Sequence, residues 1–405
     1  MTKVTAWIRR LLAWSVLMGV MSLPLAQAQE LSRSVAMRVH QAFELSQQEK
    51  TAEAVTILEG IDAVKAYDQA YVARMLGILY WQQAQPQQSQ VALENALSTG
   101  ALPIEQAIET ERMLADILLS TGEPAKALRH YQSVLDKQSD VSRSQAEKMY
   151  TTEFITQLWL RVAQSNYQLQ DWQAVLSSIK QYEALDKKAD VSLLSMKLGA
   201  QVALSRWKGA VSTTEQLRAL ESDNELWWKQ LTSLHLRLKH YPEALATLKQ
   251  RERNGFALSS SEYQTLAGLY ASQGAPELAA KVYAEHLLEQ EDAESYATLA
   301  RYWQVAKEWQ YALEAWQHAS RLSADHHWSY AQLLMQQKQY QAALNVLANM
   351  PSSQRVELAK TQAFYRLDEH EKALESAQKA HQLKADETTL TWVRFLTQSL
   401  NKASS

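Results

Sequence analysis

A small residue, once replaced by valine, returns along this chain at nearly constant intervals: Ala54, Ser89, Ala127, Val175, Ala210, Ala244, Ala279, Ala312, Ala343 and Ala373. The steps are 35, 38, 48, 35, 34, 35, 33, 31 and 30 residues. Twelve positions before most of them stands a second small residue: Ala42, Gly77, Ala115, Ala163, Thr232, Ala267, Ala300 and Ala331, with Leu198 and Thr361 the poorest matches. Periods of roughly 20–50 residues belong to stacked units, none of which can bury its apolar face alone. Small side chains are needed where two helices cross closely, because a bulky one pushes the axes apart. The spacing therefore predicts ten helical hairpins in a row.

The unit is clearest at 267–287, AGLYASQGAPELAAKVYAEHL. Leu266 and Ala267 are followed by Tyr270, then Gly274 and Pro276, then Ala279 and Tyr283. This pattern resembles the tetratricopeptide repeat (TPR), two helices of about a dozen residues joined by a tight turn. Pro86, Pro124, Pro242 and Pro276 all fall in turns that lead into a second helix, where a missing N–H costs nothing. Only 10 glycines and 7 prolines in 405 residues argue against a turn-rich β architecture. The expected fold is all-α, a TPR-like α-solenoid of about ten hairpins closed by a capping helix and tail over 386–405.

The first 28 residues read as a signal peptide. Lys3, Arg9 and Arg10 precede the uncharged run LLAWSVLMGVMSL, and Ala26-Gln27-Ala28 supplies a small-x-small cleavage site. Cleavage is expected before Gln29, giving a periplasmic protein with no direct membrane insertion afterwards. The chain has no cysteine, which excludes disulfides, thiol catalysis and thiolate metal sites. Without 1–28, 38 basic residues face 44 acidic ones, a net charge of about −6. A mildly acidic chain with no basic block is a poor partner for nucleic acid.

The 48-residue step leaves a polar insertion, so the expected domains are repeats 1–3 over 29–136, an insertion or loop over 137–152, and repeats 4–10 over 153–385. The insertion reads as a plain loop or longer helix start, or as a hinge or docking element.

Eleven tryptophans follow the signal segment. Counting the first small residue of each repeat as slot 8, Trp159 and Trp228 fall in slot 4, Trp303 in slot 11, Trp316 in slot 24, and Trp172, Trp207 and Trp309 in slot 17. These are packing slots, and the crowded trio Trp303, Trp309 and Trp316 is expected to be core. Trp81 in slot 12 and Trp328 in slot 5 fall instead on the first-helix face that lines the concave groove of such repeats. Tyr71, Arg74, Arg112, Asp116, Gln164, Tyr167, Lys229, Arg237, Gln264 and Arg301 share that face. A groove of aromatic, arginine and amide side chains suits a peptide, although packing between repeats is an equal reading for each residue singly.

No hydrolase, phosphate-loop or dinucleotide-binding motif occurs, and the carboxylates are scattered over helix surfaces. Asp325-His326-His327 is expected to be a helix cap followed by two surface histidines, since adjacent helical positions point about 100° apart. An enzyme is not expected, nor a metal or cofactor.

The blocks YDQAYVARMLGILYWQQAQ (67–85), ERMLADILLS (111–120), LWLRVAQSNYQLQDW (158–172) and WWKQLTSLHLRLKHYPEAL (227–245) resemble an exported TPR protein family associated with a TonB energy-transduction system in marine gamma-proteobacteria. That resemblance implies a periplasmic accessory to a TonB–ExbB–ExbD-type complex in iron-siderophore or haem uptake, with protein partners. The alternatives are a TPR scaffold for polysaccharide export or cytochrome biogenesis, and more remotely a carbohydrate-binding module.

Overall fold

The computed structural model describes residues 30–139, 142–185, 189–288 and 292–403. The signal-like segment 1–28 lies outside them. The described residues form helices and no strand, divided between two compact units that separate at Ser222/Asp223. No helix among them is long and apolar enough to cross a membrane.

The first unit pairs α1 (Arg33–Gln47) with α2 (Thr51–Glu59), and α3 (Ala66–Gln82) with α4 (Pro86–Ser98). The third hairpin is α5 (Ile104–Ser120) with α6 (Pro124–Asp136), followed by a short α7 (Arg143–Met149). Then come α8 (Thr152–Gln168) with α9 (Trp172–Glu183), and α10 (Val191–Ala203) with α11 (Trp207–Leu220). The second unit pairs α12 (Glu225–Arg237) with α13 (Tyr241–Arg253), and α14 (Ser260–Ser272) with α15 (Pro276–His286). It continues with α16 (Ala293–Val305) and α17 (Trp309–Leu322), α18 (His327–Gln336) and α19 (Tyr340–Ala348), and α20 (Gln354–Arg366) and α21 (His370–Leu383). The helix α22 (Glu387–Ala403) closes it, with Leu396 buried among Ala373 and Ala377. Each unit is a TPR-like α-solenoid of five hairpins.

The small-residue register holds at every hairpin. All ten second-helix positions, Ala54 through Ala373, are completely buried. At the one glycine among the first-helix positions, Gly77, an added Cβ would lie 2.5 Å from Leu93 Cδ2. The close crossing there is tightened further by Ser89 Oγ, which donates to the Gly77 carbonyl at 2.6 Å.

The turns are equally regular. Each first helix is followed, seven residues after its small position, by one residue in the left-handed region: Glu49, Ala84, Gly122, Gln170, Ser205, Lys239, Gly274, Lys307, Lys338 and Asp368. In the eighth hairpin Lys307 N–H donates to the Gln304 carbonyl at 3.0 Å and Glu308 N–H to Trp303 at 2.9 Å. These two bonds are the Schellman closure that satisfies the last carbonyls of a helix. The second helix then starts at once, with Pro86, Pro124 and Pro276 as its first residue.

The tryptophan trio is core. Trp303 and Trp316 are buried and Trp309 packs against the same cluster. Trp316 Nε1 also donates to Gln304 Oε1 at 2.8 Å, so its polar atom is satisfied as well as its ring.

Segment 137–152 lies inside the first unit, and its described residues include the short helix α7. Ser142 and Gln145 form a capping box at the start of α7. Tyr150 is buried after its end, its hydroxyl donating to the Val134 carbonyl at 2.7 Å. One expectation is corrected, at Asp325. It does not cap a helix: Ser323 caps a 3-10 turn over Ala324–His326, and α18 starts only at His327.

Candidate functional site

Slots 9 and 12 of successive first helices point to one open face, and in the first unit they enclose a recess of about 320 Å³. Trp81 from α3, Asp116, Leu119 and Ser120 from α5, Arg161, Gln164 and Tyr167 from α8, and Met196 from α10 line it. Four hairpins thus contribute to one concavity.

Its polar centre is Asp116. The carboxylate accepts from the buried Tyr131 hydroxyl at 2.6 Å and meets Arg112 Nη1 at 3.0 Å and Arg161 Nε at 3.2 Å. Burial, and then the neighbouring Asp116 charge, push the Tyr131 hydroxyl well above the usual tyrosine range, so it remains a proton donor. Arg161 Nη1 donates to Gln164 Oε1 at 2.9 Å. Two guanidinium groups against one carboxylate leave this wall of the recess with one excess positive charge. Trp81 Nε1 and Arg112 Nε are buried and have no acceptor among the described residues. Trp81, Leu119 and Met196 supply apolar lining, while Tyr167 is held edge-on against Trp172 at 5.2 Å. The arrangement sets a hydrogen-bonded charged cluster beside an apolar surface, which suits an apolar side chain next to acceptor groups.

Of the residues expected on this face, Trp81, Asp116, Gln164 and Tyr167 are brought together, with Arg112 bonded behind them. Tyr71 is half-buried beside Tyr67. Arg74 is only 5% exposed, and it donates to Thr110 Oγ1 and Glu109 Oε2, both at 3.0 Å. It is therefore a brace between hairpins, not an open groove arginine. In the second unit Lys229, Arg237, Gln264 and Arg301 are exposed. Lys229 pairs with Glu225 at 3.1 Å, and Arg301 binds Glu294 through both terminal nitrogens at 2.9 Å. Trp328 lines a separate recess in that unit, beside Arg355.

Arg161, Met196 and Arg355 were not anticipated. Arg161 and Met196 both occupy slot 6, so adding that slot to the expected face would have found them.

No protein-family model matches the chain, and no curated protein matches it. Solved structures similar to it include a TPR protein from Parabacteroides merdae, at 13% identity over 68% of this chain and 100% of that one, with a TM-score of 0.37. The C-terminal part of a TPR-containing protein from Cytophaga hutchinsonii is 16% identical over 71% of this chain and 95% of that one, TM-score 0.36. The TPR domain of P58(IPK) is 11% identical over 91% and 99%, TM-score 0.26. The TPR-like fold rests on the hairpins and their small-residue register. Likenesses this distant carry no argument about function.

Proposed function

We propose that this chain is a scaffold that holds protein partners through the first-helix faces of its hairpins. The observation that carries this reading is the Trp81–Asp116–Arg161–Gln164–Tyr167 recess, built by successive hairpins of the first unit. Repeat arrays of this kind present extended surfaces, and buried aromatic and arginine anchors dominate protein interfaces.

The finer reading follows from the sequence blocks and the signal-like start. The mature protein is periplasmic, begins at Gln29, and acts as an accessory to a TonB–ExbB–ExbD-type complex in siderophore or haem uptake. A deletion strain should grow normally on free iron and poorly on iron supplied only as siderophore or haem. Equal growth on all three sources, with no TonB-complex component co-purifying, would turn the reading toward a scaffold for another envelope machine.

A further inference from the structure

We infer that the recess in the second unit is a separate recognition site for an acidic protein segment, one that presents a carboxylate beside an apolar side chain. This rests on the scaffold reading above and adds the chemistry of the partner.

The recess, about 360 Å³, lies between α18 and α20 and is lined by Trp328, Gln332, Met335, Arg355, Leu358 and Gln362, among others. Its organising feature is the Arg355 guanidinium, whose Cζ sits 4.0 Å from the centroid of the Trp328 ring. Stacking a planar guanidinium on an indole is favourable and limits its orientations, while its in-plane N–H donors stay available. Arg355 is exposed and, among the described residues, makes no hydrogen bond or ion pair. Arg74, Arg251 and Arg301, by contrast, are spoken for: Arg74 by Glu109, Arg251 by Glu225 and Glu262, and Arg301 by Glu294. A stacked, ready-oriented arginine with unused donors is the group that binds a carboxylate through two parallel bonds.

The rest of the lining selects among anions. No second cation lines the recess, and nearby Lys360 is held by Glu357 at 3.0 Å. A nucleic acid or other polyanion needs several cations along its backbone. One arginine, two glutamine amides and the apolar surfaces of Trp328, Met335 and Leu358 instead match a peptide. The carboxylate meets Arg355, the amides serve the peptide backbone, and an adjacent apolar residue covers the methionine and leucine.

The test is selection of a phage-displayed random 12-residue library on the full-length chain, in parallel with its Arg355→Gln variant. A labelled synthetic copy of the most enriched peptide is then titrated by fluorescence anisotropy. Arg355 is exposed, so its variants should melt with the parent. The expected result is enrichment of sequences with Asp or Glu next to an apolar residue. Affinity should fall at least tenfold with Arg355→Gln, and fall similarly when the peptide's acid is changed to its amide. Arg355→Glu should bind the peptide's acid-to-lysine counterpart better than the acidic parent. Enriched sequences without acids, equal affinity for Arg355→Gln, or competition by a heparin fragment but by no peptide would each overturn the site. If peptides bind but ignore Arg355, only this inference fails; if the parent chain enriches no peptide at all, the scaffold reading fails with it.

Discussion

The Tyr131 hydroxyl, wholly buried in the third hairpin, donates at 2.6 Å to Asp116 Oδ1. Through that carboxylate a core residue sets the positions of Arg112 and Arg161 at the open face. Tyr131→Phe removes one donor and keeps the ring. It should cost about 1–2 kcal/mol of stability, and should also weaken partner binding at the first-unit recess. Chemical denaturation and a binding titration on the same variant check both. Unchanged stability would mean that Asp116 is held by its arginines alone.

A core tryptophan and a face arginine should separate. Trp316 is 3% exposed and its ring packs within a large cluster. Its replacement by alanine should cost about 3–5 kcal/mol and leave binding intact where the protein stays folded. Arg161→Gln, on the half-buried edge of the recess, should cost less stability and more binding. Thermal melts beside a partner titration distinguish the two; parallel effects would contradict the assignment.

Eight of the ten left-handed turn residues are not glycine. A side chain in that region costs roughly 1–2 kcal/mol. Lys307→Gly and Lys338→Gly are therefore expected to raise stability by up to about 1 kcal/mol each, and Gly274→Ala to lower it by a similar amount. Differential scanning calorimetry of the three variants checks the signs. A fall in melting temperature for both glycine variants would contradict the turn assignment.

The register was legible because close helix crossings tolerate few side chains. Even Leu198 and Thr361, the weakest matches, are each followed seven residues later by a left-handed residue, Ser205 and Asp368. The site was legible only in part. Arg74 and Arg112 share slot 5 with Trp328, yet Arg74 meets Thr110 and Glu109 across the neighbouring hairpin while Trp328 opens onto a recess. Which way a slot-5 side chain goes depends on its neighbour, and the repeat pattern does not encode that. Arg251 is hidden for a similar reason. It occupies slot 27, where Ala96, Ala319 and Ala380 stand in other repeats, and its carboxylate partners are 26 and 11 residues away.

That buried arginine predicts acid sensitivity. Burial alone would raise Glu262, but bonds from Arg251 and Ser259 outweigh it and hold the carboxyl below its ordinary value of 4.5. In the first unit, burial of Glu111 is likewise outweighed by bonds from His130, Lys137 and Ser133. A lowered native pKa stabilises fully above the unfolded value, and that contribution is lost as pH falls through the native one. Melting temperature should therefore decline as pH drops below about 4.5, and Glu262→Gln should blunt the decline. A melting temperature constant from pH 5 to pH 3 would contradict this. Arg251→Ala, which empties a buried site and takes one partner from each of two partly exposed glutamates, should lower the melting temperature at neutral pH.

The central claim is that the first-helix face captures a protein. The most direct measurement is quantitative affinity capture from envelope extract by the full chain and by its Trp81→Ala/Arg161→Gln variant, with prey identified by mass spectrometry. The parent should retain a TonB-complex component, and the variant, folded by circular dichroism, should lose at least nine-tenths of it. Recovery by the parent of other envelope proteins but no TonB-complex component would contradict only the TonB reading; equal recovery of prey by both proteins would contradict the central claim.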